Sequence, residues 1–232
     1  MSEFKFTRPN AFPPLVKNLI IINVLVFVAQ STLGVRYPID DWFALHEVRS
    51  VFFEPYQIIT FLFMHGSIPH LLFNMLALWM FGAQLENYWG SKRFFIFYMV
   101  SGIGSALLHL AVLYVEMSPL YAELRTLSLE EQYYYINTAV RPLNGATVGA
   151  SGAIFGCLAA YGYLFPNTLI YLYFAIPIKA KWFVIIYAAL ELFAGVRNSA
   201  GDTTAHFAHL GGALAGIILV LIWNKTNRKT FY

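Results

Sequence analysis

Eight polar or ionisable residues interrupt the long apolar stretches of this chain: His70, Asn74, Glu86, His109, Ser151, Glu191, His206 and His209. Such groups are costly in an apolar setting, so each one is a functional-site hypothesis by default. Ser151 stands in Gly149-Ala150-Ser151-Gly152-Ala153-Ile154-Phe155-Gly156. The flanking glycines let another backbone, or a substrate, come close. A helix starting at Ser151 would also offer unpaired N–H groups to a developing negative charge. The competing reading is packing alone, because Gly152 and Gly156 form a GxxxG pair.

His209 precedes Gly212 by three residues and Gly216 by seven, so the three share one helix face. Tight packing of that face on the Ser151 helix would bring an imidazole toward the hydroxyl. His206, one turn earlier, competes for that role, and a histidine bonded to a nearby carbonyl is the structural alternative. His70 and Asn74 are four apart on one face and can both donate hydrogen bonds without a fixed charge. That suits an oxyanion, which is best held by pre-placed donors; polar contact between helices is the alternative. Ser67 and Pro69 suit the start of that helix. Zinc is disfavoured: the sequence has no HExxH and no cysteine pair, no acid stands beside these histidines, and the His65–His70 spacing of five is poor for two ligands on one helix.

The elements that must position these residues follow from composition. Of 232 residues, 59% are hydrophobic, 18% aromatic and 12% charged. A soluble domain carries roughly 25% charge, so a soluble enzyme, a nucleic-acid binder and a disordered chain are all disfavoured. The single cysteine, Cys157, excludes an internal disulfide framework. An all-α polytopic membrane protein is expected, with spans at about 15–33, 68–88, 93–115, 149–166, 181–198 and 204–224. Residues 1–14 then form an N-terminal segment, 15–224 a six-helix membrane domain and 225–232 a basic tail. The opening MSEFKFTRPNAFPPL is polar and proline-broken and is followed by no small-residue cleavage site, so no cleavable signal peptide is expected. Residues 167–180 carry Pro177 and follow Pro166, and read as an interfacial loop.

With six spans and the N-terminus inside, ten lysines and arginines fall on the inner side and five on the outer. Both ends are therefore expected to be cytoplasmic. Spans 2, 4 and 6 then run inward, which places His70, Asn74, Ser151, His206 and His209 at one depth near the outer face. Residues 34–67 read as an interfacial outer loop. Residues 116–148 read as an outer insert, with a short amphipathic helix at 127–135. A transporter would spread its polar residues along a path through the bilayer, whereas these cluster at one end. His109 is the stray, read as a packing or snorkelling group.

Three stretches together, in this order, resemble the rhomboid family of intramembrane serine proteases: Phe63-Met64-His65-Gly66-Ser67-Ile68-Pro69-His70-Leu71-Leu72-Phe73-Asn74 with Gly82-Ala83-Gln84-Leu85-Glu86, then Gly149-Ala150-Ser151-Gly152, then Ala208-His209-Leu210-Gly211-Gly212. The resemblance covers roughly residues 15–224. It implies a six-helix bundle and a serine–histidine dyad with no acid partner and no metal or other cofactor. Ser151 matches the nucleophile and His209, with glycines at plus three and plus seven, the general base. His70 and Asn74 match the oxyanion side chains; His65 and Glu86 match structural positions. Two departures stand out. A Trp-Arg pair common in the first outer loop is replaced by Tyr56-Gln57, and the aromatic four residues after the serine is Phe155 where tyrosine is common. The former bears on the loop; the latter keeps a stacking face for the histidine and loses a hydroxyl. The implied partners are transmembrane protein substrates within a lipid bilayer. The alternative is a non-catalytic relative that binds membrane helices, although such relatives usually lack the serine or histidine. Glu191 reads as a local hydrogen-bonding or water-facing group, not a catalytic one. Short loops favour a bacterial plasma membrane.

Overall fold

The computed structural model describes residues 9–137, 144–172, 175–197 and 205–227. The extreme N-terminus, the end of the basic tail, Asn198 of the expected fifth span and Thr204 of the sixth lie outside the described residues.

Helix α1 (Pro14–Leu33) corresponds to the first expected span. The segment expected to form the first outer loop folds into α2 (Ile39–Phe43), α3 (Gln57–Thr60) and a 3-10 turn (Phe61–Phe63). Helix α4 (Ile68–Ala77) starts where the Ser67 hydroxyl accepts the His70 backbone N–H at 3.2 Å, a side-chain cap of the usual kind. It continues through a π-helical turn (Leu78–Gly82) into α5 (Ala83–Trp89). Gly90, at φ 79°, turns the chain directly into α6 (Ser91–Leu124).

Helix α6 continues past residue 115, where the third span was expected to end. Its 34 residues rise about 51 Å at roughly 1.5 Å each, well beyond a hydrocarbon core of about 30 Å. The outer insert is therefore not all loop, because 116–124 extend the helix through Pro119. Arg49 anchors this extension. Its guanidinium lies over the Tyr114 and Tyr121 rings at 4.1 and 4.2 Å and donates to the Tyr114 carbonyl and the Ser118 hydroxyl. Helix α7 (Leu129–Asn137) follows, two residues later than expected. A capping box sets its start: the Ser128 hydroxyl accepts the Glu131 N–H, and the Glu131 carboxylate accepts the Ser128 N–H.

Helix α8 (Ser151–Leu164) is shorter than the expected 149–166 span, and Gly152–Gly162 are all buried. Residues 167–180 are not simply a loop: β1 (Leu169–Leu172) and β2 (Ile176–Lys179) pair antiparallel, with Leu169 opposite Lys179. A β-branched and aromatic run satisfies its backbone more completely as a hairpin than as an open loop. Helices α9 (Ala180–Arg197) and α10 (His206–Asn227) complete the chain.

Among the described residues, four helical stretches are long and apolar enough to cross a membrane: Pro14–Leu33, Ile68–Trp89, Ser91–Leu124 and His206–Lys225. Of the six expected spans, α8 is apolar but short, and α9 carries Lys181, Glu191 and Arg197. Ile21, Leu25 and Val28 on α1, and Ile185, Leu190, Phe193 and Val196 on α9, are exposed. Apolar surface on that scale is compatible with a lipid environment and not with water. The chain is an integral membrane protein built as an all-α bundle, with one small hairpin. Helix α8 lies at its centre, packed by α6, α9, α10 and the π-helical turn.

Candidate active site

The approach to Ser151 is tied down before the helix begins. Leu45 and Thr147 exchange backbone hydrogen bonds at 2.9 Å, and the Gly149 N–H donates to the Phe61 carbonyl. His109 is buried, with Nε2 2.7 Å from the Thr147 hydroxyl, so it packs against this segment and does not snorkel. Gly149 has φ 137°, a conformation that side chains rarely adopt, and a Cβ there would lie 2.9 Å from His70 Nε2.

Small residues then let three helices meet. A methyl added at Gly212 would overlap the Gly152 backbone, and one at Gly216 would lie 2.9 Å from the Gly156 Cα. On the other side of α8, a methyl at Gly152 or Gly156 would collide with Ser105 or Ser101 of α6. The sequence reading missed this third helix, although Ser101, Gly104 and Ser105 are themselves a small-residue stripe of the kind that marks close helix packing.

This contact sets His209 Nε2 2.8 Å from the Ser151 hydroxyl oxygen. Phe155 stacks on the His209 ring, with centroids 4.2 Å apart and planes within 4°. The expected competitor, His206, directs Nδ1 to Glu191 Oε2 at 2.7 Å. The same oxygen lies 2.9 Å from His209 Nδ1. One sequence expectation therefore changes: an acid does stand beside these histidines, brought in from another helix. Of the two readings for Glu191, the buried carboxylate fits the hydrogen-bonding one and not the water-facing one. A carboxylate can only accept, so this contact calls for an N–H at His209 Nδ1, which leaves Nε2 as the nitrogen that can accept from Ser151. Among the described residues, Glu191, His206 and His209 also form the one group of this kind whose atoms could together hold a metal ion.

His70 and Asn74 reach the same place from α4. The Gly66 N–H points at His70 Nδ1 at 3.4 Å, which leaves Nε2–H directed to the cavity side. Asn74 is buried, and its Nδ2 has no hydrogen-bond partner among the described residues. Both line a cavity of about 800 Å³ together with Gly149, Ser151, Gly152, Phe155 and His209. Ser151 is the first residue of α8, so its own N–H has no intrahelical partner. The serine, an imidazole base and three unengaged donors thus share one cavity.

Two further sequence candidates lie outside this cavity. His65 is buried edge-on to His70, with ring centroids 5.1 Å apart, and its backbone is clasped by the Gln30 side-chain amide. Burial, reinforced by His70, pushes its pKa down to about 4 and keeps it neutral. Glu86 accepts the Leu15 and Val16 N–H groups at 2.9 and 2.8 Å and the Ser91 hydroxyl at 2.6 Å. It thereby caps α1, whose first N–H groups have no helical acceptor. The Tyr56-Gln57 departure is also accounted for. Gln57 is fully buried; it donates to the Asp41, Trp42 and Phe52 carbonyls and accepts the His46 N–H, pinning the outer loop from within.

Comparison with known proteins agrees with this architecture. The family model described as the Rhomboid domain matches residues 53–225. "Rhomboid protein 1, mitochondrial" of Saccharomyces cerevisiae is 32% identical over 162 residues, 70% of this chain and 40% of that protein. "RHOMBOID-like protein 1" of Arabidopsis thaliana is 32% identical over 220 residues, 94% of this chain and 45% of that one. "Rhomboid protease GlpG" of Salmonella choleraesuis is 26% identical over 216 residues, 93% of this chain and 65% of that one. The chain thus spans between two-fifths and two-thirds of the length of these curated relatives. Because the domain match covers most of its length, the chain belongs to the rhomboid family.

Proposed function

We propose that this protein is an intramembrane serine endopeptidase that cleaves membrane-embedded segments of other proteins, with Ser151 as nucleophile and His209 as general base. The observation that carries the reading is the 2.8 Å contact between His209 Nε2 and the Ser151 hydroxyl inside a shared cavity. That distance lies within the reach a nucleophile and its base require.

His209 Nε2 takes the Ser151 proton as the hydroxyl oxygen adds to the scissile carbonyl carbon. The oxyanion is received by His70 Nε2–H, Asn74 Nδ2–H and the Ser151 backbone N–H. Asn74 Nδ2 supports this role because a buried donor without a partner costs about 1–3 kcal/mol unless a ligand supplies one. His209 then gives its proton to the leaving amine, and an acyl-enzyme remains. A water attacks that ester, again losing its proton to His209, and the peptide acid is released as Ser151 recovers its proton. The Phe155 ring holds the imidazole plane through this cycle.

The substrate must present an unwound backbone, because a helical carbonyl is already bonded within its own helix. Unwound backbone in the bilayer has to be sheltered by protein, and the cavity beside Ser151 is where shelter is available. In the proposed orientation both termini are cytoplasmic and the site faces the outer side, in a bacterial plasma membrane. Ten inner against five outer lysines and arginines support that orientation.

The test is labelling of the full chain with a fluorophosphonate probe alongside cleavage of a transmembrane reporter. Wild-type protein labels and cleaves; Ser151→Ala does neither; His209→Ala loses cleavage while expressing normally. Cleavage by Ser151→Ala at the wild-type rate refutes the proposal. Loss of cleavage in His206→Ala but not in His209→Ala would reassign the base. A Ser151-independent protein that still binds the reporter helix would support a non-catalytic role.

A further inference from the structure

We propose that Glu191 is a positioning residue for catalysis, making the site a Ser151–His209–Glu191 relay in which His206 holds the carboxylate in place. The inference rests on the reading of Ser151 and His209 given above and deepens it. One carboxylate oxygen, Glu191 Oε2, lies 2.9 Å from His209 Nδ1 and 2.7 Å from His206 Nδ1. The Glu191 side chain is 7% exposed, and those of His209 and His206 are 12% and 14%. An isolated carboxylate at that depth is unfavourable, and two N–H donors offset much of the penalty. The backbone is arranged for this meeting. Gly195, one turn beyond Glu191 on α9, faces the start of α10, where a Cβ would lie 3.1 Å from the His206 Cβ and from the Phe207 ring.

The chemistry follows from which nitrogen is occupied. Glu191 keeps the Nδ1 proton of His209 in place, so Nε2 is free to accept. It also fixes the ring plane that Phe155 stacks on from the other direction. When Nε2 takes the Ser151 proton, the imidazolium that forms faces a negative charge already in position. The proton moves only from the Ser151 oxygen to Nε2 and later to the leaving amine; Nδ1–H stays on His209 and Glu191 stays ionised. This is the division of labour of soluble triads, where the acid orients the histidine and is not itself protonated. A carboxylate that merely tied α9 to α10 would need only His206. The second contact, to the ring that touches Ser151, is what a structural tie does not require.

The experiment measures kcat and KM for a transmembrane reporter with the full chain in proteoliposomes. Glu191→Gln is expected to lower kcat by about 10²-fold or more, short of the roughly 10⁴-fold seen for triad aspartates, with KM unchanged within about twofold. Glu191→Asp should recover part of that loss, and His206→Ala should cost only a few-fold because His209 keeps its contact. A purely structural tie would instead lower thermal stability and leave kcat per labelled site intact. Nitrogen-15 imidazole spectra of the wild-type protein provide a readout that needs no variant to fold, and they should show His209 protonated on Nδ1 alone. Three results would overturn the proposal: a Glu191→Gln kcat within threefold of wild type, an Nε2-protonated His209, or activity that EDTA abolishes, which would turn the three groups into metal ligands. If Ser151→Ala is inactive while Glu191→Gln is fully active, the dyad stands and only the relay falls. An active Ser151→Ala protein defeats both.

Discussion

The tightest contact in the site is between two backbones, and one methyl group tests it. In Gly212→Ala the new Cβ would overlap the Gly152 carbonyl group and approach the Gly152 Cα to 3.2 Å. Neither neighbour can rotate away, because both are helix backbone. Restoring ordinary carbon contact of about 3.5–4.0 Å requires α8 and α10 to part there by roughly 1 Å or more. Ser151 adjoins Gly152 in sequence, and His209 lies one turn from Gly212 on the same face. The same displacement would stretch the 2.8 Å Ser151–His209 contact to about 3.8 Å, beyond hydrogen-bond range. A misplacement of about 1 Å in a catalytic pair can cost on the order of 10²-fold in rate. Overpacking at such a junction adds about 1–3 kcal/mol of destabilisation. Gly212→Ala should therefore lose at least about 10²-fold in kcat and label slowly with a fluorophosphonate, while still inserting into membranes. Val196→Ala is the control, since that side chain is exposed on α9 away from the cavity. A Gly212→Ala protein with more than a third of the wild-type kcat and normal labelling would show that the two backbones are not in this contact, and the geometric argument for the Ser151–His209 pair would fail with it.

Other expected outcomes test separate parts of the arrangement. Asn74→Ala should lower kcat by about 10–10²-fold, at or below the 10²–10³ typical for loss of one oxyanion donor, because His70 and the Ser151 N–H remain; reporter kinetics decide. Glu86→Ala strips α1 of acceptors for the Leu15 and Val16 N–H groups. Bonds to a charged partner contribute about 1.5–3 kcal/mol each, so losing the two is expected to cost about 3–6 kcal/mol, read as a lowered unfolding midpoint in a fixed detergent.

Periodicity and hydropathy made α1, the α4–α5 stretch and α10 legible, because a lipid-facing helix announces itself through an uninterrupted apolar run. The same signal did not show α6 continuing past residue 115, where its last turns (MSPLYAEL) mix Ser118, Pro119 and Glu123 among apolar residues. They stay helical because Arg49 reaches across from the outer loop to Tyr114, Ser118 and Tyr121. That partnership spans more than sixty residues of sequence and has no local signature. The 167–180 hairpin was hidden for a similar reason: four-residue strands are too short for alternation to be read. In the site, Ser151, His209, His70 and Asn74 were legible because each sits beside glycines or at helical spacing within an apolar run. Glu191 was visible as a costly acid inside a span, yet its partners lie fifteen and eighteen residues away on another helix, a pairing with no local signature. A rule would have found it: an acid inside a span must be satisfied, and the nearest ionisable groups within the next expected span were His206 and His209.

The short central helix explains why packing and chemistry coincide here. At roughly 1.5 Å per residue the 14 residues of α8 rise about 21 Å, less than a hydrocarbon core of about 30 Å. Exposed to lipid, such a helix would leave an unsatisfied end in an apolar medium. Enclosed by α6, α9 and α10, it can begin at Ser151 beside a cavity that holds polar side chains from three other helices. Enclosure requires neighbours on every side, and neighbours that close require glycine. Gly152 lies between Ser105 and the Ala208 carbonyl, and Gly156 between Ser101 and the Gly212 carbonyl. The residues that bury the helix are therefore the ones that set the distance from hydroxyl to imidazole. Under the proposed function, a change at that junction alters stability and turnover together, whereas exposed apolar side chains such as Ile185 and Val196 lie away from it.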